Sequence, residues 1–280
     1  MLVFSINEIL LGRGLNMDTK IVFFDIDGTI YKFTEGMPKD TLNSIIKLKE
    51  NGHIPVICTG RTKVMIYDDF LAPGFDYIIA GGGTYIEIKN NEEFFYKLDN
   101  EEVKHITDSF IANGFSPVIE GRDNLYVEYE NKNRTPRGNK IINNYIKNIN
   151  EKCVEIGSIP LSNISKVSAV FMPGCNMKAM IDEFGDKYNV INHNNDLLEL
   201  LPKPYNKAKG IEMIINKLNI PWENTYALGD SFNDLEMLTY VKYGICMGNS
   251  DKELFKYTKY RTGDFNKGGV TQALKEFGLI

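Results

Sequence analysis

The run from Ile21 to Ile30, Ile-Val-Phe-Phe-Asp-Ile-Asp-Gly-Thr-Ile, constrains this chain more than any other. Four consecutive β-branched or aromatic residues lead into it, the pattern of a strand buried on both faces and therefore of a sheet covered on both sides. The run leads into Asp25 and stops at Gly28, which lets the backbone turn sharply. Side chains alternate along a strand, so Asp25 and Asp27 start out on one side and can converge on a single cation or phosphoryl group. An Asp-Gly turn formed for local reasons accounts for the same residues, and only the rest of the chain decides between the two.

Three more stretches place polar residues and glycines at strand ends or helix starts. Ile54-Pro-Val-Ile-Cys58 runs into Thr59-Gly60-Arg61, Asn206-Lys207-Ala208-Lys209-Gly210 carries a lysine, and Tyr226-Ala-Leu-Gly229 leads into Asp230-Ser231-Phe232-Asn233-Asp234. Helical spacing of Leu42, Ile45, Ile46 and Leu48, stopped by Gly52, predicts a helix over 41–51. The segment 62–71 reads as another helix and 76–80 as a third strand. Strands joined through helices require crossovers, so the sheet is parallel and its ligand site lies at the carboxyl ends of the strands, near a switch in strand order. Asp25, Asp27 and Thr59 all stand at such ends. From Thr84 to about Asn192 the apolar runs give way to half-exposed strands, over 85–89, 125–130 and 166–172, and amphipathic helices, over 101–112, 139–152 and 176–188. This pattern suits a separate α+β lid with one open sheet face, inserted into the first domain. The strand and helix alternation then resumes, with helices expected over 207–218, 234–241, 251–257 and 270–277.

The four stretches, in this order, resemble the four motifs of the haloacid dehalogenase superfamily of phosphatases, most closely its Cof-type branch with a class IIB cap. The resemblance spans Met17 to Ile280 and implies an α/β fold: a Rossmann-like parallel-sheet core over 17–83 and 193–280, and an inserted α+β cap over 84–192 that sets substrate specificity. It implies that Asp25 is the nucleophile, forming an aspartyl-phosphate, and that Asp27 is the general acid and base. It also implies Mg²⁺, held by Asp25, Asp230 and the backbone carbonyl of Asp27, the hard oxygen ligands this ion prefers, with Asp234 supporting the set from behind. Ser231 and Asp234 equally fit a capping box at a helix start, which needs no catalysis. Thr59, Gly60 and Asn233 match the family's phosphate-binding positions, and Lys207 matches the lysine that neutralises the transferring group. A Thr-Gly turn closing a strand also explains Thr59 and Gly60. Lys209, two residues beyond Lys207, would face elsewhere on the helix. One departure is Gly81-Gly82-Gly83, where Cof-type chains carry an Asn-Gly pair.

Composition narrows the partners. A length of 280 residues, 43% of them hydrophobic, is enough to fill real cores. A net charge of −5 leaves no basic footprint for nucleic acid. The four cysteines, Cys58, Cys153, Cys175 and Cys246, lack CxxC spacing and lie in or beside apolar runs, as reduced thiols do in a cytoplasmic protein. The apolar run from Leu2 to Leu11 is too short to span a bilayer and has its basic residue, Arg13, on the wrong side for a signal peptide. Residues 1–16 read as a dispensable extension, with Met17 as the natural start. His53, His105 and His193 show no ligand spacing and read as ordinary surface or core residues, while the charged cap stretch 120–124 is a candidate specificity element. The expectation is a Mg²⁺-dependent phosphomonoester hydrolase for a small phosphorylated metabolite, a sugar phosphate or phosphorylated cofactor. It would act as a monomer or weak homodimer in the cytoplasm, with no nucleic-acid or membrane partner. A phosphomutase on the same fold and a noncatalytic phosphometabolite sensor are the alternatives.

Overall fold

A computed structural model describes residues 18–280; the expected extension over residues 1–16 and the start at Met17 lie outside the described residues. In chain order the elements are β1 (Ile21–Phe24), α1 (Lys39–Glu50), β2 (Ile54–Cys58), α2 (Asp68–Leu71), β3 (Tyr77–Ala80), β4 (Tyr85–Ile88) and β5 (Asn91–Phe95). They continue with α3 (Asn100–Ala112), β6 (Phe115–Gly121), β7 (Leu125–Val127), α4 (Pro136–Ile149), β8 (Cys153–Glu155), β9 (Ile164–Phe171), α5 (Met177–Phe184), β10 (Tyr188–His193) and β11 (Leu197–Pro202). The chain closes with α6 (Lys207–Leu218), β12 (Thr225–Gly229), α7 (Leu235–Tyr240), β13 (Tyr243–Cys246), β14 (Tyr260–Arg261) and α8 (Gly269–Glu276).

Eight strands form one sheet in the order β14-β13-β12-β1-β2-β3-β4-β5. Its six strands from β14 to β3 run parallel, and β4 and β5 add an antiparallel hairpin at one edge. Every residue of β1, β2, β3 and β12 is buried, because helices cover both faces and the strands have no wet side. Two apolar clusters sandwich the sheet: Val22, Phe24, Ile57 and Leu228 face α1 and α8, while Ile21, Phe23, Val56 and Ala227 face α6 and α7. The fold is the Rossmann-like α/β class. Strand β1 pairs with β2 on one side and β12 on the other, so the strand order reverses there and the carboxyl ends of β1 and β12 form the switch-point crevice.

The remaining strands build a second sheet, in the order β10-β11-β9-β6-β7-β8. The sheets draw the unit boundaries differently from the expected 83/84 and 192/193. Tyr85–Ile88 and Asn91–Phe95 belong to the core sheet, whereas Tyr188–His193 and Leu197–Pro202 belong to the cap sheet. Strand β11 is apolar like a core strand, which hid its membership; its partner is β9, in antiparallel register. The cap sheet also lacks the expected open face: β6 and β9 are buried almost throughout, one face under α3 and α5 and the other under α4 and against Val64 and Met65 of the core. The helix expected over 62–71 is broken into a single 3-10 turn and the short α2. Val64 and Met65 turn out of it to pack against Val118, Leu125 and Val170 of the cap. The helix expected over 251–257 is likewise a single 3-10 turn over Leu254–Lys256.

Candidate active site

Asp25 follows β1 directly and is 4% exposed. Lys207 opens α6, whose N-cap Asn206 accepts a hydrogen bond from the Lys209 amide at 2.8 Å. That cap aims Lys207 inward, where its ammonium donates to Asp25 Oδ1 at 2.6 Å and to Asp234 Oδ1 at 2.5 Å. Lys209 instead lies at the surface beside Glu212. Asp234 uses its other oxygen to accept the amides of Asp230 (3.0 Å) and Ser231 (3.1 Å), completing a capping box with Ser231. The helix-start arrangement and the contact with Lys207 therefore coexist in one carboxylate. Asn249 donates to Asp230 Oδ2 at 3.2 Å and to the Gly28 carbonyl at 3.0 Å, tying the ends of β12 and β1 together.

Asp27 lies half exposed across the crevice, and Arg61 binds it through both carboxylate oxygens at 2.6 and 2.8 Å. The guanidinium is stacked among Phe33, Tyr67 and Phe70, with ring centroids 5.0 to 5.5 Å away. Burial works against its charge, but the paired hydrogen bonds to Asp27 keep it firmly protonated. Thr59, buried at the end of β2, accepts the Arg61 amide on its hydroxyl at 3.1 Å. Asn233 accepts the Ser231 hydroxyl on its side-chain oxygen at 2.6 Å, which leaves its NH₂ available to the cavity. A cavity of about 450 Å³ joins Asp25, Asp27, Thr59, Gly60 and Asn233. Lys207 lines an adjoining space of about 260 Å³ that shares Gly60 and Asn233.

The acidic groups at the switch point fit a divalent cation. Carboxylate oxygens of Asp25, Asp230 and Asp234 lie within 4.8 Å of one another. Asp230 Oδ1 is buried without a hydrogen-bond partner, an acceptor that a cation would satisfy. Burial, then the Asp234 charge, push Asp230 up to about 7 and raise Asp25 well above the usual carboxylate range; Lys207 only partly offsets this. Because Asp234 is already spent on Lys207 and two amides, Asp25 and Asp230 are the side chains left to ligate, through the all-oxygen donors that suit a hard cation such as Mg²⁺.

The opposite wall of the cavity belongs to the cap. Lys166 on β9 is 2% exposed and its ammonium faces three acceptors: the Gly60 carbonyl at 2.8 Å, Glu199 on β11 at 3.1 Å and Glu120 on β6 at 3.3 Å. His193 closes the set, 3.2 Å from Glu199. Glu120 lies in the charged stretch singled out from the sequence, but Arg122 and Asp123 pair with each other, and Arg122 with Glu92 of β5, away from the cavity lining. Lys166, Glu199 and His193, like Arg61 and Asn249, carried no functional reading in the sequence. The available signal was a lysine at the centre of an otherwise apolar and small-residue strand, Ile164-Ser-Lys-Val-Ser-Ala-Val-Phe171. A strand buried on both faces admits such a residue only with partners.

A buried aspartate and lysine thus meet at the switch point of a parallel sheet of the Rossmann-like α/β class, under an inserted second sheet. The model of the haloacid dehalogenase-like hydrolases matches residues 22–274, and the chain belongs to that family. It is 26% identical to 5-amino-6-(5-phospho-D-ribitylamino)uracil phosphatase YitU of Bacillus subtilis, across 93% of this chain and 99% of the relative. A hypothetical protein of Geobacillus kaustophilus HTA426 superposes with a TM-score of 0.79 at 26% identity, covering 94% of this chain and all of the other (100%). The subclass IIB sugar phosphatase BT4131 shares the fold, with a TM-score of 0.78 at 22% identity over 94% of this chain and 100% of its own.

Proposed function

We propose that this protein is a Mg²⁺-dependent phosphomonoester hydrolase that releases phosphate from a small phosphorylated metabolite, a sugar phosphate or phosphorylated cofactor, through an aspartyl-phosphate on Asp25. The observation that carries this reading is the buried Lys207–Asp25 contact at 2.6 Å, beside a cavity that also holds Asp27. Asp25 attacks phosphorus as the carboxylate, and Asp27, which takes up a proton for this step while still accepting from Arg61, passes that proton to the leaving oxygen, so the alcohol departs neutral. Asp27, now ionised, takes a proton from water as that water attacks the acyl phosphate, which releases phosphate and restores Asp25. Lys207 fixes the attacking oxygen and offsets charge on the phosphoryl group, while Thr59, the Gly60 amide and Asn233 bind its other oxygens. A cation on Asp25, Asp230 and the Asp27 backbone carbonyl would supply the remaining charge neutralisation. The cap excludes bulk water while the substrate is bound. The size of the cavity, about 450 Å³, favours a metabolite over a folded protein. YitU supports the substrate class, since its named substrate is a phosphorylated ribityl compound.

The test is phosphate release from a panel of sugar phosphates, pyridoxal phosphate, flavin mononucleotide and p-nitrophenyl phosphate, with and without Mg²⁺, for wild type and Asp25→Asn. Metal-dependent turnover that the substitution abolishes is expected. A silent panel, or full activity in the variant, would overturn the assignment.

A further inference from the structure

We propose that Glu199 is a specificity-determining residue of this phosphatase site: it accepts a hydroxyl or amine hydrogen bond from the leaving group, and the wall it belongs to turns away substrates with a second anionic group. The inference rests on the phosphatase reading and adds a rule for which phosphate esters the site accepts.

Three features of the cap wall carry it. The first is that its cation is used up. An ammonium has three N–H donors, and Lys166 faces three acceptors, Gly60 O, Glu199 and Glu120, at 2.8 to 3.3 Å. Arg61, the other strong base lining the main cavity, already holds Asp27 with two hydrogen bonds and donates a third to the Met65 carbonyl at 3.3 Å. His193 is turned to Glu199. A second phosphate or a carboxylate on the substrate therefore meets no free cation on this wall, and it meets two carboxylates.

The second feature is the free acceptor. Glu199 is 6% exposed and lines both the 450 Å³ cavity and the adjoining 260 Å³ space. Lys166 and His193 both address its Oε2. Among the described residues Oε1 has no hydrogen-bond partner, so an anionic oxygen faces the cavity and asks for a donor. Burial opposes that charge, but Lys166 and then His193 hold the carboxyl down to about 2, so it stays an acceptor across the physiological range.

The third feature is the rest of the lining of the cavity that holds Glu199 and Asp27. Phe33, Met65, Ile141 and Tyr145 offer apolar and aromatic surface, with Asn144 and Asn194 beside them. Such a wall suits a leaving group with C–H faces and hydroxyl or amine edges, as in a polyol, and gives no compensation for desolvating a second anion.

The experiment compares kcat/KM of the wild-type protein, with Mg²⁺, on matched pairs: fructose monophosphate against fructose bisphosphate, and glucose phosphate against phosphogluconate. p-Nitrophenyl phosphate reports the chemistry without a polyol. A preference of about tenfold or more for the member of each pair with a single anionic group is expected, since like charges across a desolvated contact are strongly unfavourable. Glu199→Gln should shrink both ratios at least threefold, mainly through KM. Equal or reversed preference in the wild type, with p-nitrophenyl phosphate still hydrolysed, overturns the inference and leaves the phosphatase reading intact. So does a Glu199→Gln variant that folds and keeps the wild-type ratios. No turnover of any ester, p-nitrophenyl phosphate included, overturns both. Because the wild-type pairs alone can refute the idea, it stays falsifiable even if the variant fails to fold.

Discussion

Gly28 has no room for a side chain. Its φ of +86° lies where L residues are strained, and a Cβ there would sit 2.1 Å from Asp230 Oδ2. Gly28→Ala is therefore expected to push Asp230 out of line, with backbone strain of about 1–2 kcal/mol. Half-maximal activation should then need several-fold more Mg²⁺, read from a metal titration of phosphate release; an unchanged titration would remove Asp230 from the metal set. Arg61 makes a different point at the same scale. The place of its neighbours Thr59 and Gly60 at a strand end was legible in the sequence because a strand and its stop are local, whereas its grip on Asp27 spans 34 positions and depends on the folded crevice. Arg61→Ala loses the stack on three rings as well as the ion pair, and is expected to lower stability by about 1–2 kcal/mol in urea unfolding.

At the scale of elements, the core strands could be read from sequence because burial on both faces produces unbroken apolar runs. The cap strands could not. Their two faces do different work: Ile119, Val167, Leu198 and Leu200 join the cap's own apolar cluster, while Glu120, Lys166 and Glu199 line the 450 Å³ cavity and Ser168 donates to Glu120. Period-two alternation of this kind reads as half-exposed until the partner surface is known, and the polar face then proves to be the wall of the site. Glu120 stands directly opposite Lys166 in the β6–β9 register, and Glu199 opposite Ser168 in the β9–β11 register, so the ion set is built into strand pairing. Lys166→Met would leave two carboxylates facing each other, a loss of about 3–5 kcal/mol expected from denaturant melts. The pH dependence has opposite signs at the two acids. The Glu199 carboxyl is depressed from 4.5 to about 2, so its contribution to stability is fully present above pH 4.5 and is lost as pH falls toward 2. Glu120 is raised, by burial above all, so the folded state favours its proton and the corresponding stability is lost as pH rises through its folded value. The gap between urea melts of wild type and Glu199→Gln is expected to narrow from pH 5 down to pH 3; a constant gap would remove the charge of Glu199 from the account.

For the whole molecule, the question is what the cap contributes beyond covering the site. It is joined to the core through an apolar contact, Val64 and Met65 against Val118 and Val170, and through the polar contact of Lys166 with Gly60. Neither of the two clusters that sandwich the core sheet draws a residue from 98–203. The chain leaves and re-enters the core at adjacent points, since Phe94 and Tyr96 pack on Tyr205 with ring centroids 5.6 and 4.7 Å apart. A short Gly/Ser linker in place of residues 98–203 would therefore join neighbouring ends, and the shortened chain is expected to keep a cooperative unfolding transition at reduced stability, because Val64 and Met65 become exposed. Asp25, Asp27, Lys207 and Asp230 all remain, so p-nitrophenyl phosphate should still be hydrolysed, more slowly for want of water exclusion. The preference for sugar phosphates with one anionic group over those with two should disappear, because Glu120, Lys166, His193 and Glu199 all leave with the segment. A chain that unfolds without cooperativity would show that the core needs its cap to fold. One that folds and keeps the preference would move specificity from the cap wall to the two core loops that carry Phe33, after β1, and Arg61, after β2.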